Sequence, residues 1–297
     1  MTGEKRQRHR LDFLIAGKFG TRSAAQVAIR AGRVLLSGRP VTRCGIFLSE
    51  EDLEEISILP EPPREVGEKL PLPPILFENA DALIFAKPAG MLTVPAGKPR
   101  GDSLSERLAA AFPPSSFAPQ PAHRLDRDTS GVLLAAKTPD ALRFFQEEFA
   151  ERRVEKTYLA LVLDLEKKLP ASGTIDSPLS SSRGNALVQK VSATPKARPA
   201  RTHFRALERK EIAGVPTALV EIDLETGRTH QIRAHFAAIG FPVVGDPVYG
   251  DLERNKIFER EFELRRQWLH ARRLAIAFPD GERREFSAEL PEELARF

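Results

Sequence analysis

Fifteen residues, 123–137, restrict the fold of this chain more than any other stretch. They read His123-Arg124-Leu125-Asp126-Arg127-Asp128-Thr129-Ser130-Gly131-Val132-Leu133-Leu134-Ala135-Ala136-Lys137. Val132 to Ala136 is an apolar run long enough for one buried strand. Thr129-Ser130-Gly131 is turn chemistry, with a glycine free to take positive φ. Asp126 therefore sits at the mouth of a buried strand, between Arg124 and Arg127. An anion flanked by cations there can serve as a nucleophile or base. It can equally be half of a bridge that pins the turn, and on these residues alone both readings stay open.

The whole string His-Arg-Leu-Asp-x-x-Thr-Ser-Gly, followed by its apolar strand, resembles the signature of the RluA-type RNA pseudouridine synthases. A second string, Thr226-Gly227-Arg228-Thr229-His230-Gln231-Ile232-Arg233-Ala234-His235, is similar to that family's Thr-Gly-Arg-Thr-His-Gln-Ile-Arg-x-His segment. Lys156-Thr157-Tyr158-Leu159-Ala160 fits its Lys-x-Tyr-x-Ala strand, and Lys87-Pro88-Ala89-Gly90 its Lys-Pro-x-Gly loop. Gly245-Asp246-Pro247-Val248-Tyr249-Gly250 and Leu269-His270-Ala271 continue the likeness, which spans residues 75–297.

The resemblance implies an α+β catalytic domain, a mixed but mostly antiparallel sheet with flanking helices. It implies isomerisation of uridine in structured RNA without a cofactor. Asp126 would be the catalytic carboxylate, Tyr158 would lie against the target base, and Arg233 would pair with Asp126. The further candidates for substrate contact are His123, Arg124, Thr129, Lys87, Arg228, His230 and Gln231. Of these, Lys87 reads either as a phosphate contact or as a solvent-facing lysine at a strand end.

Charge divides the chain unevenly. Residues 1–48 hold ten Lys/Arg and two Asp/Glu, so they carry +8 of a net charge of +4, and the remainder carries −4. A basic end on a near-neutral body suits a polyanion. Residues 1–8 read as a basic tail and 9–59 as a small domain: apolar Leu11, Leu14, Ile15 and Phe19 at helical spacing, a second helix from Arg22 closed by Gly32, then a hairpin turning at Ser37-Gly38. Two helices and a hairpin carrying Arg22, Arg30, Arg33, Arg39 and Arg43 resemble the alpha-L RNA-binding module. Six prolines within residues 60–74 exclude a sheet interior and predict an extended linker.

Beyond the linker, strands are expected at 75–77, 82–86, 132–136, 154–162, 218–224 and 269–276, and helices at 103–112, 139–153 and 255–267. Thr229 is expected to cap a helix reaching Gly240. Residues 178–205 read as a basic loop-and-strand segment in which Arg183, Lys190, Lys196, Arg198, Arg201 and Arg205 could track RNA.

Other chemistries find little footing. His230 and His235 are five apart, not the i, i+4 pair of a helical zinc site, and the one cysteine, Cys44, allows no multi-cysteine site. There is no phosphate loop or dinucleotide fingerprint, so neither metal nor nucleotide cofactor is expected. No window reaches the roughly 18 apolar residues of a membrane span, and no secretion signal leads the chain. A cytoplasmic monomer is expected, with ribosomal RNA as first partner and transfer RNA as the alternative. The competing hypothesis is a non-catalytic RNA-binding assembly factor, which explains the basic front but does not require Asp126, Tyr158 and Arg233 together.

Overall fold

The computed structural model describes residues 9–19, 22–49, 51–59, 71–95, 102–112, 117–182 and 185–297. The chain divides into two compact units, 1–66 and 67–297. Most of the expected linker, and the basic tail, lie outside the described residues.

In the smaller unit a helix Leu11–Leu14 passes into a 3-10 turn Ala16–Phe19, and a second helix spans Arg22–Arg30. The first apolar set thus makes one short turn rather than a continuous helix, with Gly17, a poor helix former, inside the run. Strand Val34–Leu36 is central, pairing with Arg39–Pro40 and with Ile56–Ile58. Ser37 and Gly38 both take positive φ, +50° and +75°, the conformation that a two-residue hairpin needs. A 3-10 helix Glu51–Glu55 leads into the strand Ile56–Ile58. Leu11, Ile15, Ala25, Ile29 and Val34 form the core. Arg30, Arg39 and Arg43 are exposed, whereas Arg33 is half-buried; the side chain of Arg22 lies outside the description.

The larger unit is built on a ten-stranded sheet. Its main path runs Ser172–Asp176, Arg201–Ile212, Val215–Leu224, Glu155–Leu163, Leu269–Ala277, Ser130–Ala136, Ala82–Lys87, Ile75–Glu78. Strand Arg283–Ser287 joins the edge of Leu269–Ala277, so the latter is not the last strand, as expected from the sequence. Among the described residues all strand pairings are antiparallel except one: His270 opposite Ser130 and Ala271 opposite Gly131 run parallel. That pairing brings the far end of the chain against the 123–131 loop.

The apolar run is buried from end to end because helices cover both faces of the sheet. Alternate residues separate cleanly. Val132, Leu134 and Ala136 pack with Phe145 of helix Pro139–Ala150, while Leu133 and Ala135 meet Leu104 and Leu108 of helix Leu104–Ala111. Ser103 closes the latter helix with a full capping box, and Thr138 caps the former with Pro139 at its first position. At the other end of the sheet, Ile232 and Phe236 of helix Gln231–Ala238 cover one face, and Phe258 of helix Leu252–Phe262 the other. The latter helix starts earlier than its charge pattern predicts and buries Phe258 completely, so it is not merely a surface element.

Within the expected loop-and-strand segment, strands Leu179–Ser182 and Asn185–Val191 pair antiparallel. One expectation fails locally. Thr229 does not cap. His230 occupies the cap position with φ +53°, and the helix runs from Gln231 to Ala238. Two residues on, Gly240 has φ +88°.

Candidate active site

Asp126 lies on the short loop between Pro121 and Ser130, and that loop is held from several directions. Thr93 Oγ1 donates to the Leu125 carbonyl at 3.0 Å and accepts from its N–H at 3.1 Å. Lys87 Nζ donates to the Arg127 carbonyl at 3.0 Å, Arg266 Nη1 to the Asp128 carbonyl at 3.0 Å, and Gln267 Nε2 to Thr129 Oγ1 at 3.3 Å. Gly131 has φ +124°, and a Cβ there would lie 2.1 Å from the Ala271 carbonyl oxygen. Only glycine lets strand Leu269–Ala277 come this close.

The partner of Asp126 is not local. Arg127 turns to Asp128 at 3.1 Å, and Arg124 projects into solvent. Arg233 supplies the contact from the first turns of helix Gln231–Ala238, its Nη1 donating to Asp126 Oδ2 at 3.1 Å. The guanidinium is itself clamped by Asp246: Nε donates at 2.7 Å to Oδ2 and Nη2 at 2.9 Å to Oδ1. Asp246 is fully buried and also accepts the backbone N–H groups of Val248 and Tyr249. Burial alone would lower the pKa of Arg233; Asp246 and Asp126 together raise it above the usual arginine value. The Asp126 side chain keeps 20% of its surface exposed, against 5% for Arg233. A permanently charged arginine therefore aims one carboxylate outward while a second carboxylate holds the arginine still.

His230 adds a second contact, with Nε2 3.8 Å from Asp126 Oδ2. The Gln189 N–H donates to Tyr249 Oη at 2.7 Å, which leaves the phenol hydrogen for His230 Nδ1 at 3.0 Å. That sequence of donors directs an Nε2–H of neutral His230 toward Asp126. Burial lowers the imidazole pKa, so the neutral form is favoured. The Arg233 guanidinium lies over the Tyr249 ring at 5.1 Å.

These groups line a cleft of about 100 Å³ with Arg124, Asp126, Tyr158, Arg228, His230 and Arg233 among its walls, and Leu224, Ile232 and Leu269 as apolar lining. Tyr158 is half-buried on strand Glu155–Leu163, at the bulge where the pairing with Leu269–Ala277 shifts. Burial and the Asp126 carboxylate push its phenol pKa up, so the ring faces the cleft as a neutral phenol. A larger depression of about 320 Å³ adjoins the cleft and shares Arg124, Tyr158, Leu224, Gly227 and Arg228 with it.

Several expected contacts have other duties. Lys87 is 1% exposed and donates to the carbonyls of Pro88, Met91 and Arg127, so it neither faces solvent nor is placed to meet a phosphate. Burial lowers its pKa to about 7, against the opposing pull of Asp128 and Asp126. His123 accepts the Leu134 N–H at Nε2 and packs on Phe149, and burial lowers its pKa to about 3. Gln231 is 2% exposed and spends its amide on the Arg201 carbonyl, Thr202, Thr226 and the Arg228 N–H. It is a hub that shapes the 226–230 loop and also lines the cleft. Thr129 is 2% exposed. Arg201 pairs with Asp176 and Glu225, and Arg205 with Glu221; Arg198, Lys190 and Lys196 stay exposed, and Arg183 lies outside the described residues. The sequence shows Gly245 to Gly250 only as a family-like segment, with no role for Asp246 or Tyr249; Asp246 accepts the Val248 and Tyr249 N–H groups in a turn. The same aspartate also reaches back to the arginine.

Among the described residues no group of three or more His, Cys, Asp or Glu is placed to hold a metal, and no helix is long and apolar enough to cross a membrane.

Residues 81–238 match the RNA pseudouridylate synthase family. A Chloroflexus aurantiacus protein named as an uncharacterized RNA pseudouridine synthase is 39% identical over 293 residues, covering 96% of this chain and 87% of its own. Ribosomal large subunit pseudouridine synthase C of Vibrio cholerae is 34% identical over 270 residues, covering 85% and 81%. Among solved structures, human RNA pseudouridylate synthase domain containing 1 is 30% identical and superposes with a TM-score of 0.61, over 76% of this chain and 86% of that one. The matched span contains Asp126, Tyr158 and Arg233, and the sheet of the larger unit is mixed and mostly antiparallel. The chain therefore belongs to the RluA-type RNA pseudouridine synthases, a family of isomerases.

Proposed function

We propose that this enzyme converts uridine to pseudouridine in large-subunit ribosomal RNA, with Asp126 as its catalytic residue. The carrying observation is the aim of Asp126: one carboxylate at the base of a small cleft, fixed by Arg233 at 3.1 Å and faced by Tyr158. The choice of RNA is supported by the names of relatives, the Vibrio cholerae synthase C and the large-subunit synthase D of Nitrosomonas europaea, the latter 37% identical over 233 residues.

The reaction is an internal exchange. The bond from the ribose carbon to uracil N1 breaks, the base rotates, the same carbon bonds to C5, C5 loses a proton and N1 gains one. Nothing is oxidised, reduced or transferred from outside, so the chemistry requires no cofactor. A cleft this narrow demands that the uridine leave its stack, at about a few kcal/mol. Asp126 then drives cleavage, either by attacking the sugar or by taking the sugar proton beside the bond. Both routes need an anion aimed at the ribose, which is what Arg233 secures. Tyr158 packs against the base. A phenol whose pKa is raised stays protonated and offers almost no phenolate, so Tyr158 carries the C5 proton only as a relay. Arg124, exposed at the rim and without a hydrogen-bond or ion-pair partner among the described residues, occupies the space the uridine vacates. Arg30, Arg39 and Arg43 of the smaller unit add non-specific grip.

Pseudouridine mapping of ribosomal RNA from cells with and without the gene tests the substrate. One or more large-subunit positions should lose the modification. An unchanged large-subunit map beside a lost position in transfer RNA would overturn the substrate and keep the chemistry.

A further inference from the structure

The larger depression beside the cleft has an uncompensated charge. Its walls include Arg124, Arg152, Lys156 and Arg228, against one carboxylate, Glu225. That carboxylate is already engaged, by Arg201 at 3.1 Å and Arg152 at 3.3 Å. Lys156 lies two residues before Tyr158 on the same strand, so both side chains leave one face of the sheet. Its ammonium reaches the 226–230 loop: a Cβ at Gly227 would lie 3.9 Å from Nζ. Among the described residues it has no hydrogen-bond or ion-pair partner, although burial and Arg152 lower its pKa to about 8. Arg228 is also half-buried with Arg152 and Arg198 near it, and both cations oppose its charge. A half-buried lysine crowded by arginines is unfavourable until an anion arrives.

We propose that this depression is a phosphodiester subsite, in which Lys156, with Arg152 and Arg228, takes one backbone phosphate of the substrate RNA next to the target uridine. Arg124 and Tyr158 line both it and the catalytic cleft, and the packed His123–Phe149 pair lines the depression alone. The subsite rests on the reading that the substrate is RNA, but not on Asp126 as the catalyst. It gives the enzyme a second fixed point on the strand, so that a flipped base and its neighbour's phosphate are gripped together.

The test is the salt dependence of binding of a fluorescent oligouridylate to full-length protein, a readout that needs no isomerisation. Each contact to a single strand contributes about 0.7 to the slope of log affinity against log salt. Lys156→Met should reduce the slope by about 0.7 and weaken binding roughly five- to tenfold at low salt. Lys156→Arg should restore both, and Lys168→Met, which lies outside both cavities, should change neither. A Lys156→Met slope equal to wild type, or an equal loss from Lys168→Met, overturns the subsite even if the enzyme is fully active. A protein inactive on every RNA but with the slope loss keeps it. Should Lys156→Met fail to fold, lysine acylation of the wild type, followed by mass spectrometry, decides. Saturating oligouridylate should protect Lys156 several-fold relative to Lys168, and equal reactivity refutes the proposal.

Discussion

Asp246→Asn is the sharpest probe of how the site is held. Asp246 is fully buried, and Arg233, at 5% exposure, directs two of its three side-chain hydrogen bonds among the described residues to it. Asn keeps the volume and can still accept from the Val248 and Tyr249 N–H groups. It removes the charge, and an amide NH₂ placed toward the guanidinium opposes donor to donor. Unit charges about 4 Å apart interact by about 4 kcal/mol at an effective dielectric of 20. Breaking a buried pair by removing one partner costs about 3–5 kcal/mol, which agrees. Urea denaturation should therefore show a loss of about 3–5 kcal/mol. The single-turnover rate should fall at least about 100-fold, because an arginine free to shift by an ångström no longer aims Asp126. Arg233→Met with Asp246→Leu, which replaces the pair by apolar groups, should recover part of the stability, since the Val248 and Tyr249 N–H groups still lose their acceptor, and none of the rate. If Asp246→Asn stays within about 0.5 kcal/mol of wild type and turns over normally, the clamp is incidental and the reasoning fails.

Three other outcomes follow from the same contacts. Lys87→Met leaves the carbonyls of Pro88, Met91 and Arg127 without their donor, so thermal unfolding should show a loss of about 3–5 kcal/mol; a neutral change would mean water replaces the ammonium. Gly131→Ala combines φ +124° with a 2.1 Å backbone clash, and should yield a protein that is insoluble or destabilised well beyond the roughly 1 kcal/mol typical of point mutants; a well-folded variant would show the parallel strand contact to be slack. His123 has a folded pKa of about 3 against an ordinary 6.5, so below pH 6.5 the unfolded chain binds a proton that the folded one does not. Stability should drop on acidification, by on the order of 3 kcal/mol from this residue by pH 4; a His123 imidazole that titrates near 6.5 by NMR contradicts its burial.

Much of this protein was legible because the informative residues are contiguous. The apolar run after Gly131, the Ser103 and Thr138 caps, and the Ser37-Gly38 hairpin each carry their structural instruction within a few residues. What sequence reasoning missed is carried by distance. Arg124 and Arg127 flank Asp126 in the chain, yet the arginine that binds it comes from residue 233. Asp246 looks like a turn residue because it is one, and only the fold brings its carboxylate under Arg233. Lys87, His123 and Gln231 sit in the motifs but face inward, since a loop that must present one carboxylate needs its own backbone groups satisfied. The basic segment 178–205 looks uniform in sequence, whereas cross-strand carboxylates pair with Arg201 and Arg205 and leave Arg198 exposed.

The central claim is that Asp126 does the chemistry and Arg233 aims it. Asn is nearly isosteric with Asp, and the loop is fixed by Thr93, Lys87, Arg266 and Gln267 through atoms other than the Asp126 carboxylate. Asp126→Asn should therefore fold and bind RNA much as the wild type does. The direct measurement is tritium release from carbon-five-labelled uridine in ribosomal RNA by purified Asp126→Asn, with melting temperature and RNA affinity measured on the same sample. The account predicts no detectable release from a folded, RNA-binding protein. Near-wild-type release by that protein would contradict it.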